Sequence, residues 1–260
     1  MTLSDKDRED LRYAKSLLEN PSLTARITNF IGTPVEKGLD MLPAKWKDTV
    51  TKVTHKSLQK ALDVSVATMD DHGPRSSSNI LHKIMAAASG AGGGAFGLPA
   101  LAVELPISTM IILRSIADIA RSEGEEIRLP DTKVACIEVF ALGGPSKSDD
   151  ATETGYFAVR AMLAKAVTEA AEYIAERGLA EEGAPAIVRL ITLIASRFSF
   201  NVSEKVAAQA VPIVGAAGGA IVNLMFIDHF QDVARGHFIM RRLIRVHGED
   251  DIRREYDVLL

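Results

Sequence analysis

The sequence predicts an all-α protein: a single compact domain, residues 1–260, of roughly ten helices built around two glycine-rich apolar helical segments. Three observations predict it. Apolar residues recur every three or four positions in almost every segment, the period of one helix face. No segment shows the period-two alternation between turn residues that marks a half-buried strand. Alanine is abundant and aromatic residues make up only 5% of the chain, a composition that favours helix over sheet. No run of Pro, Gly and Ser is long enough to act as a flexible linker, so one domain is expected.

Taken in order, residues 5–19 read as a polar helix with Leu11, Ala14, Leu17 and Leu18 along one side. Pro21 interrupts it, and a short helix follows through Ile31. Thr33-Pro34-Val35-Glu36 has the form of a helix start, with Thr33 as cap, Pro34 in the first position and Glu36 closing a capping box. Residues 44–69 form a long amphipathic helix in which Trp46, Val50, Val53, Leu58, Ala61, Leu62, Ser65 and Met69 share a face. Asp71-His72-Gly73-Pro74 and Ser76–Ser78 make a connector.

The first glycine tract, Ile84–Val103, comes next, and Pro99 and Pro106 are expected to bend it into two short helices. Ser108 to Arg121 is helical again. Leu129-Pro130 breaks the chain, Asp131 caps a helix through Leu142, and Gly143-Gly144-Pro145 ends it. Asp149 or Asp150 is expected to cap a helix to about Arg177, where a carboxylate meets unpaired N–H groups and the positive end of the helix dipole. Gly183-Ala184-Pro185 opens a helix to about Asn201. Ser203 is expected to cap a separate helix entering the second tract, Val206–Ile227, which Pro212 and Gly215 bend. A long helix from about Gly218 to His247 and a charged helix over Glu249–Leu260 complete the chain.

The two tracts decide the character of the protein. Each is close to the length that crosses a bilayer, and Gly90 with Gly94, Gly93 with Gly97, and Gly215 with Gly219 give the small-residue spacing that lets helix backbones approach. They must be covered by each other or by lipid. Glu104 lies inside the apolar run Leu98–Leu113, where a lone carboxylate in a membrane would cost roughly 2–4 kcal/mol. A folded location with Arg114 as its partner cation is expected. Pro99, Pro106, Pro212 and a mean hydropathy of only +0.10 also argue against a protein made of membrane spans.

The net charge of −4 gives no general attraction to nucleic acid, so no nucleic-acid partner is expected. One cysteine, Cys136 in VACIEVFAL, excludes an internal disulfide and reads as a small core residue. The N-terminus is charged and carries no apolar leader, so the expected compartment is the cytoplasm, peripherally at the inner face of the cell membrane.

Several constellations carry possible chemistry. Gly92–Gly97 matches GxGxxG with Asp118 downstream, but the motif works after a strand and the preceding segment reads as helix. On the last long helix, Asp228, His229, Asp232, Arg235 and His237 fall within three turns. With Glu104, Arg114 and Asp118 they could form an acid–base site, or a neutral polar seam between the tracts in which Asp118 or Asp232 pairs with Arg114 or Arg235. Glu104, Asp118, Asp232 and His229 are the catalytic candidates. His229 and His237 fall short of the three protein ligands a catalytic zinc takes, so no metal or other cofactor is expected. Arg235, Arg241, Arg242 and Arg245, interleaved with Phe238, Leu243 and Ile244, have the pattern of an amphipathic helix on an anionic membrane. The same pattern suits a solvated face tied by pairs such as Glu249 with Arg253. These arginines, with Arg114, Asp228 and His237, are the binding candidates.

Phe96–Glu125, Val139–Gly144 with Asp149–Ala151, Gly155-Tyr156 and Arg160, and Ser203–Leu243 together resemble the EcsC family, over about Leu11 to Tyr256. The founding member of that family is encoded beside a bacterial ABC exporter, and some members carry a peptidase label. The resemblance therefore implies an accessory role near a transporter. It transfers no catalytic residue, and no peptidase constellation stands in this sequence. The expected function is an amphitropic, non-enzymatic accessory protein whose partner is a membrane surface or a membrane protein. The alternatives are a hydrolase with a site at the seam of the tracts, or a carrier of a lipid or apolar ligand.

Overall fold

In the computed structural model the described residues are 3–19, 23–32, 34–42, 45–68, 97–144, 155–178, 184–211 and 215–259. They form ten helices and no strand: α1 (Asp5–Leu18), α2 (Leu23–Ile31), α3 (Val35–Asp40), α4 (Trp46–Thr68), α5 (Gly97–Ser122), α6 (Pro130–Leu142), α7 (Gly155–Arg177), α8 (Pro185–Ala210), α9 (Gly215–His247) and α10 (Glu249–Val258). The connector at 71–78, the first tract up to Phe96, Thr33, Asp149, Asp150 and Pro212 lie outside the described residues.

Local chemistry explains most boundaries. Ser4 caps α1 by accepting from the Asp7 N–H at 3.1 Å. Pro130 and Pro185 open α6 and α8 within their first turns, where a missing N–H costs nothing. Three boundaries differ from expectation. Helix α3 begins at Val35, with Pro34 flanking it and making no side-chain cap. Asp131 sits in the first turn of α6, with Leu129 at the cap; its charge still faces the positive helix end. Helix α8 runs unbroken through Asn201–Ser203 to Ala210. The Ser203 hydroxyl donates to the Ser199 carbonyl at 2.7 Å, so it is satisfied inside the helix and starts nothing.

Helix α5 is also continuous through Pro106, where a bend between two helices is expected from sequence. Proline removes one N–H and strands the carbonyl four residues earlier. That carbonyl belongs to Ala102, an exposed residue, so water can satisfy it. Packing of Leu101, Leu105, Ile112 and Ile116 into the core holds the helix together on the opposite side.

The apolar residues form two cores. The larger is contributed by α2 to α9 and centres on α6, whose residues 132 to 141 are all buried. Its aromatic knot is Phe140, Phe198, Phe226 and Phe230, with neighbouring ring centroids 4.8 to 5.9 Å apart. The smaller core gathers Leu11 and Ala14 of α1, Tyr156 and Phe157 of α7, Met240 and Leu243 of α9, and Ile252 and Tyr256 of α10. Gly236 makes this second core possible: a Cβ there would lie 2.7 Å from the Leu18 side chain and 3.1 Å from the Ala14 carbonyl. Only a residue without a side chain lets α1 lie directly on α9.

Candidate functional site

Helices α5 and α9 share one direction. Gln231 donates to Ser115 at 2.8 Å, and further along both helices Arg242 meets Glu123 at 2.8 Å and Arg241 meets Glu125 at 3.0 Å. These two helices carry all the candidate residues named from sequence. The structure spreads them along the helices in three places instead of gathering them into one.

At the start of both helices stands Glu104. Its partner is Lys205 of α8, with Nζ 2.7 Å from Oε1, and not Arg114, which is exposed further along α5. The Lys205 side chain is 0% exposed and its ammonium lies 4.7 Å from the Phe226 ring centroid. Glu104 is part-exposed, so the pair is a neutral plug with its cationic half inside. Next to Lys205, Thr24 of α2 donates to Glu204.

Among the described residues, exposed apolar side chains lie level with this plug. Val103 is 67% exposed and Ile107 40%, on one stripe of α5; Ile221 on α9 is 37% exposed. By the helix register Val103 and Ile107 fall level with Gly219 to Asn223. The remaining uncharged residues of the second tract divide between core and surface: Val222, Phe226 and Ile227 are buried, Ala220 and Ile221 exposed.

At mid-length, His229 donates from Nε2 to the Gly143 carbonyl at 2.8 Å. Asn201 donates to the same carbonyl at 2.9 Å, and Arg197 donates to the Ala141 carbonyl at 2.8 Å. Three side chains thus satisfy the free carbonyls at the end of α6, where the helix dipole is negative. Gly143 is required here, because a Cβ would stand 2.6 Å from the Phe230 ring. Burial, helped by the Arg26 charge, holds the His229 pKa below its ordinary value against the pull of Gly143 and Asp232. Asp232 meets Arg235 at 3.2 Å and Arg26 at 3.6 Å, Asp118 meets Arg121 at 2.8 Å, and Asp228 is exposed.

At the far end the arginines are partnered inside the fold. Glu125, almost fully buried, receives Arg241 at 3.0 and 3.3 Å and Arg245 at 2.9 Å. Burial pushes the Glu125 carboxyl up, but the two guanidiniums outweigh it and hold it below its usual range. Arg242 bridges Glu123 and Asp10, both at 2.8 Å. The run Arg241–Arg245 is therefore a network of ion pairs to distant parts of the same chain, not a bare cationic surface. Glu249 lies 3.7 Å from Arg160, and Arg253 lies over the Phe157 ring, so both also reach across to α7.

His237 is fully buried, with Nδ1 3.1 Å from the Tyr156 hydroxyl and no partner on Nε2. Burial, with Arg241 and Arg160, drives its pKa well below the ordinary histidine value. Cys136 is also fully buried, which pushes its thiol up to about 12 and makes it inert.

The polar partners missed from sequence are Lys205, Glu123, Glu125, Asp10 and Tyr156. Lys205 could have been noticed as a lysine opening an otherwise apolar run. Among the described residues no group of three or more His, Cys, Asp or Glu could hold a metal ion. By length and composition one described helix, α8, could cross a membrane, but Arg197, Asn201 and Lys205 tie it to its neighbours.

The model of the EcsC protein family matches residues 6–243. No curated protein and no solved structure matches the chain.

Proposed function

This chain belongs to the EcsC protein family, and we propose that it is a non-enzymatic accessory protein that associates peripherally with the inner face of the cell membrane, in the service of an ABC exporter. The observation that carries this reading is the exposed apolar stripe Val103–Ile107 beside Ile221, on a face whose one charge among the described residues of α5 and α9, Glu104, is neutralised by a buried lysine. Large exposed apolar side chains gathered on one face mark a binding surface. The contact is assigned to this end of α5 and α9, because the arginines at the other end already have acidic partners within the fold.

The hydrolase reading has less support. Glu104 is engaged by Lys205, His229 by a backbone carbonyl and His237 by Tyr156. The two histidines are eight residues apart on one helix, about 12 Å along its axis.

Vesicle flotation tests the proposal. Purified protein should rise with vesicles of phosphatidylcholine and phosphatidylglycerol and remain at the bottom without them. Protein that stays in the soluble fraction with both neutral and anionic vesicles contradicts it.

A further inference from the structure

The exposed stripes of α5 and α9 change character at the same level. On α5 the outward positions run Val103, Ile107 and then Arg114, Asp118, Arg121. On α9 they run Ala220, Ile221, Leu224 and then Asp228, Asp232, Arg235. Ser115 abuts Gln231, so Arg114 stands level with Phe230, about two residues or 3 Å along the axis from Asp228. Two parallel helices thus meet their first exposed charge in one plane. Such a level boundary matches the edge between acyl chains and headgroups.

The exposed apolar stripe, which begins six residues after the start of α5 at Gly97, has the depth of one leaflet. Val103 lies eleven residues before Arg114, about 16 Å along the helix. Half of a hydrocarbon core about 30 Å thick is about 15 Å. Before the boundary, α9 holds no charged residue, and α5 holds Glu104 alone. Its pairing with the buried Lys205 removes the net charge that would otherwise keep this end in water. At this end of the fold α3 lies against Ala207 of α8 and exposes Lys37 and Asp40, so among the described residues the uncharged surface is that of α5 and α9 alone.

Resting on the membrane association proposed above, we infer that the exposed apolar side chains of this face enter the acyl layer of a single leaflet, down to about the centre of the bilayer, with Arg114 and Asp228 at the headgroups. The protein is then monotopic, and its lipid contact is set by apolar depth more than by headgroup charge. Arg114 has the long stem and charged tip suited to that boundary.

Spin labels measure the depth directly. The buried Cys136 leaves single cysteines at V103C, I107C, I221C, R114C, D228C and V246C free to be labelled selectively. On phosphatidylcholine–phosphatidylglycerol vesicles, labels at 103, 107 and 221 should become accessible to oxygen and protected from a water-soluble nickel chelate. Labels at 114 and 228 should report the headgroup level, and the label at 246 should stay aqueous. Protein that floats with the vesicles while positions 103, 107 and 221 remain open to nickel overturns the insertion and leaves the association standing. Protein that does not float overturns both.

Discussion

The two halves of the α5–α9 pair are made of the same helices and solve opposite problems. The leading half has almost no charge, and its one carboxylate is met by a lysine that is itself buried. The trailing half is crowded with charge, and Arg241, Arg242 and Arg245 are each bound to an acid from another part of the chain. Among the described residues, buried charge beside the leading half is confined to Lys205, paired with Glu104, and the neighbouring Glu204, which accepts from Thr24. In the trailing half the pairs sit at the rim of the small core and hold α1 and the α5–α6 turn onto α9. The difference teaches that a run of arginines beside apolar residues is no guide to a membrane contact until its partners are known. A quiet run without charge can be the more informative surface.

Breaking each half at its central carboxylate should separate them. E104Q strands the Lys205 ammonium in the core and should cost about 3 kcal/mol, the low end of the range for orphaning a buried charge because Glu104 is part-exposed. E125Q removes the acceptor for Arg241 and Arg245, which still reach water, and should cost about 2 kcal/mol. Urea unfolding monitored by far-UV circular dichroism measures both. Equal costs, or a larger loss in E125Q, would erase the distinction between a dry half and a wet one.

Acid provides a third and smaller test. His229 and His237 both lie beyond the charge boundary, and both have folded pKa values held below the ordinary one. A histidine depressed in this way binds its proton in the unfolded chain first. Its contribution to stability is complete above the unfolded value of about 6.5 and is lost as pH falls from there toward the folded value. Each should remove up to about 1.4 kcal/mol per pH unit between about pH 6.5 and 5.5. The charges facing them are Arg26 and Asp232 around His229, and Arg241 and Arg160 around His237. Urea midpoints at pH 7.5 and 5.5 should differ accordingly; identical midpoints would mean that neither histidine is buried neutral.

Much of the fold is legible in the sequence for local reasons. Helical periodicity finds the elements, Pro130 and Pro185 mark starts, and Gly143 and Gly248 mark ends, because these residues act through their own backbone. The errors arise where tertiary contact overrides a local signal. Ser203 has the chemistry of a cap but satisfies itself within α8, and Pro106 is carried by the packing of α5 on its inner side. The site was less legible than the fold. The residues named for it are real polar positions, yet their partners are distant: Lys205 is 101 residues from Glu104, and Arg241 is 116 from Glu125. No periodicity connects residues so far apart. The sequence also shows which stretches lack charge without showing which side of each is left uncovered.

The central claim is that lipid contact belongs to the leading half of the α5–α9 pair. Vesicle binding of V103E/I107E beside R242Q/R245Q tests it most directly, with circular dichroism confirming that both variants fold. The account predicts that the first variant loses vesicle binding at least tenfold and the second keeps it within about twofold. Binding lost in R242Q/R245Q and retained in V103E/I107E would place the contact at the charged half and contradict it.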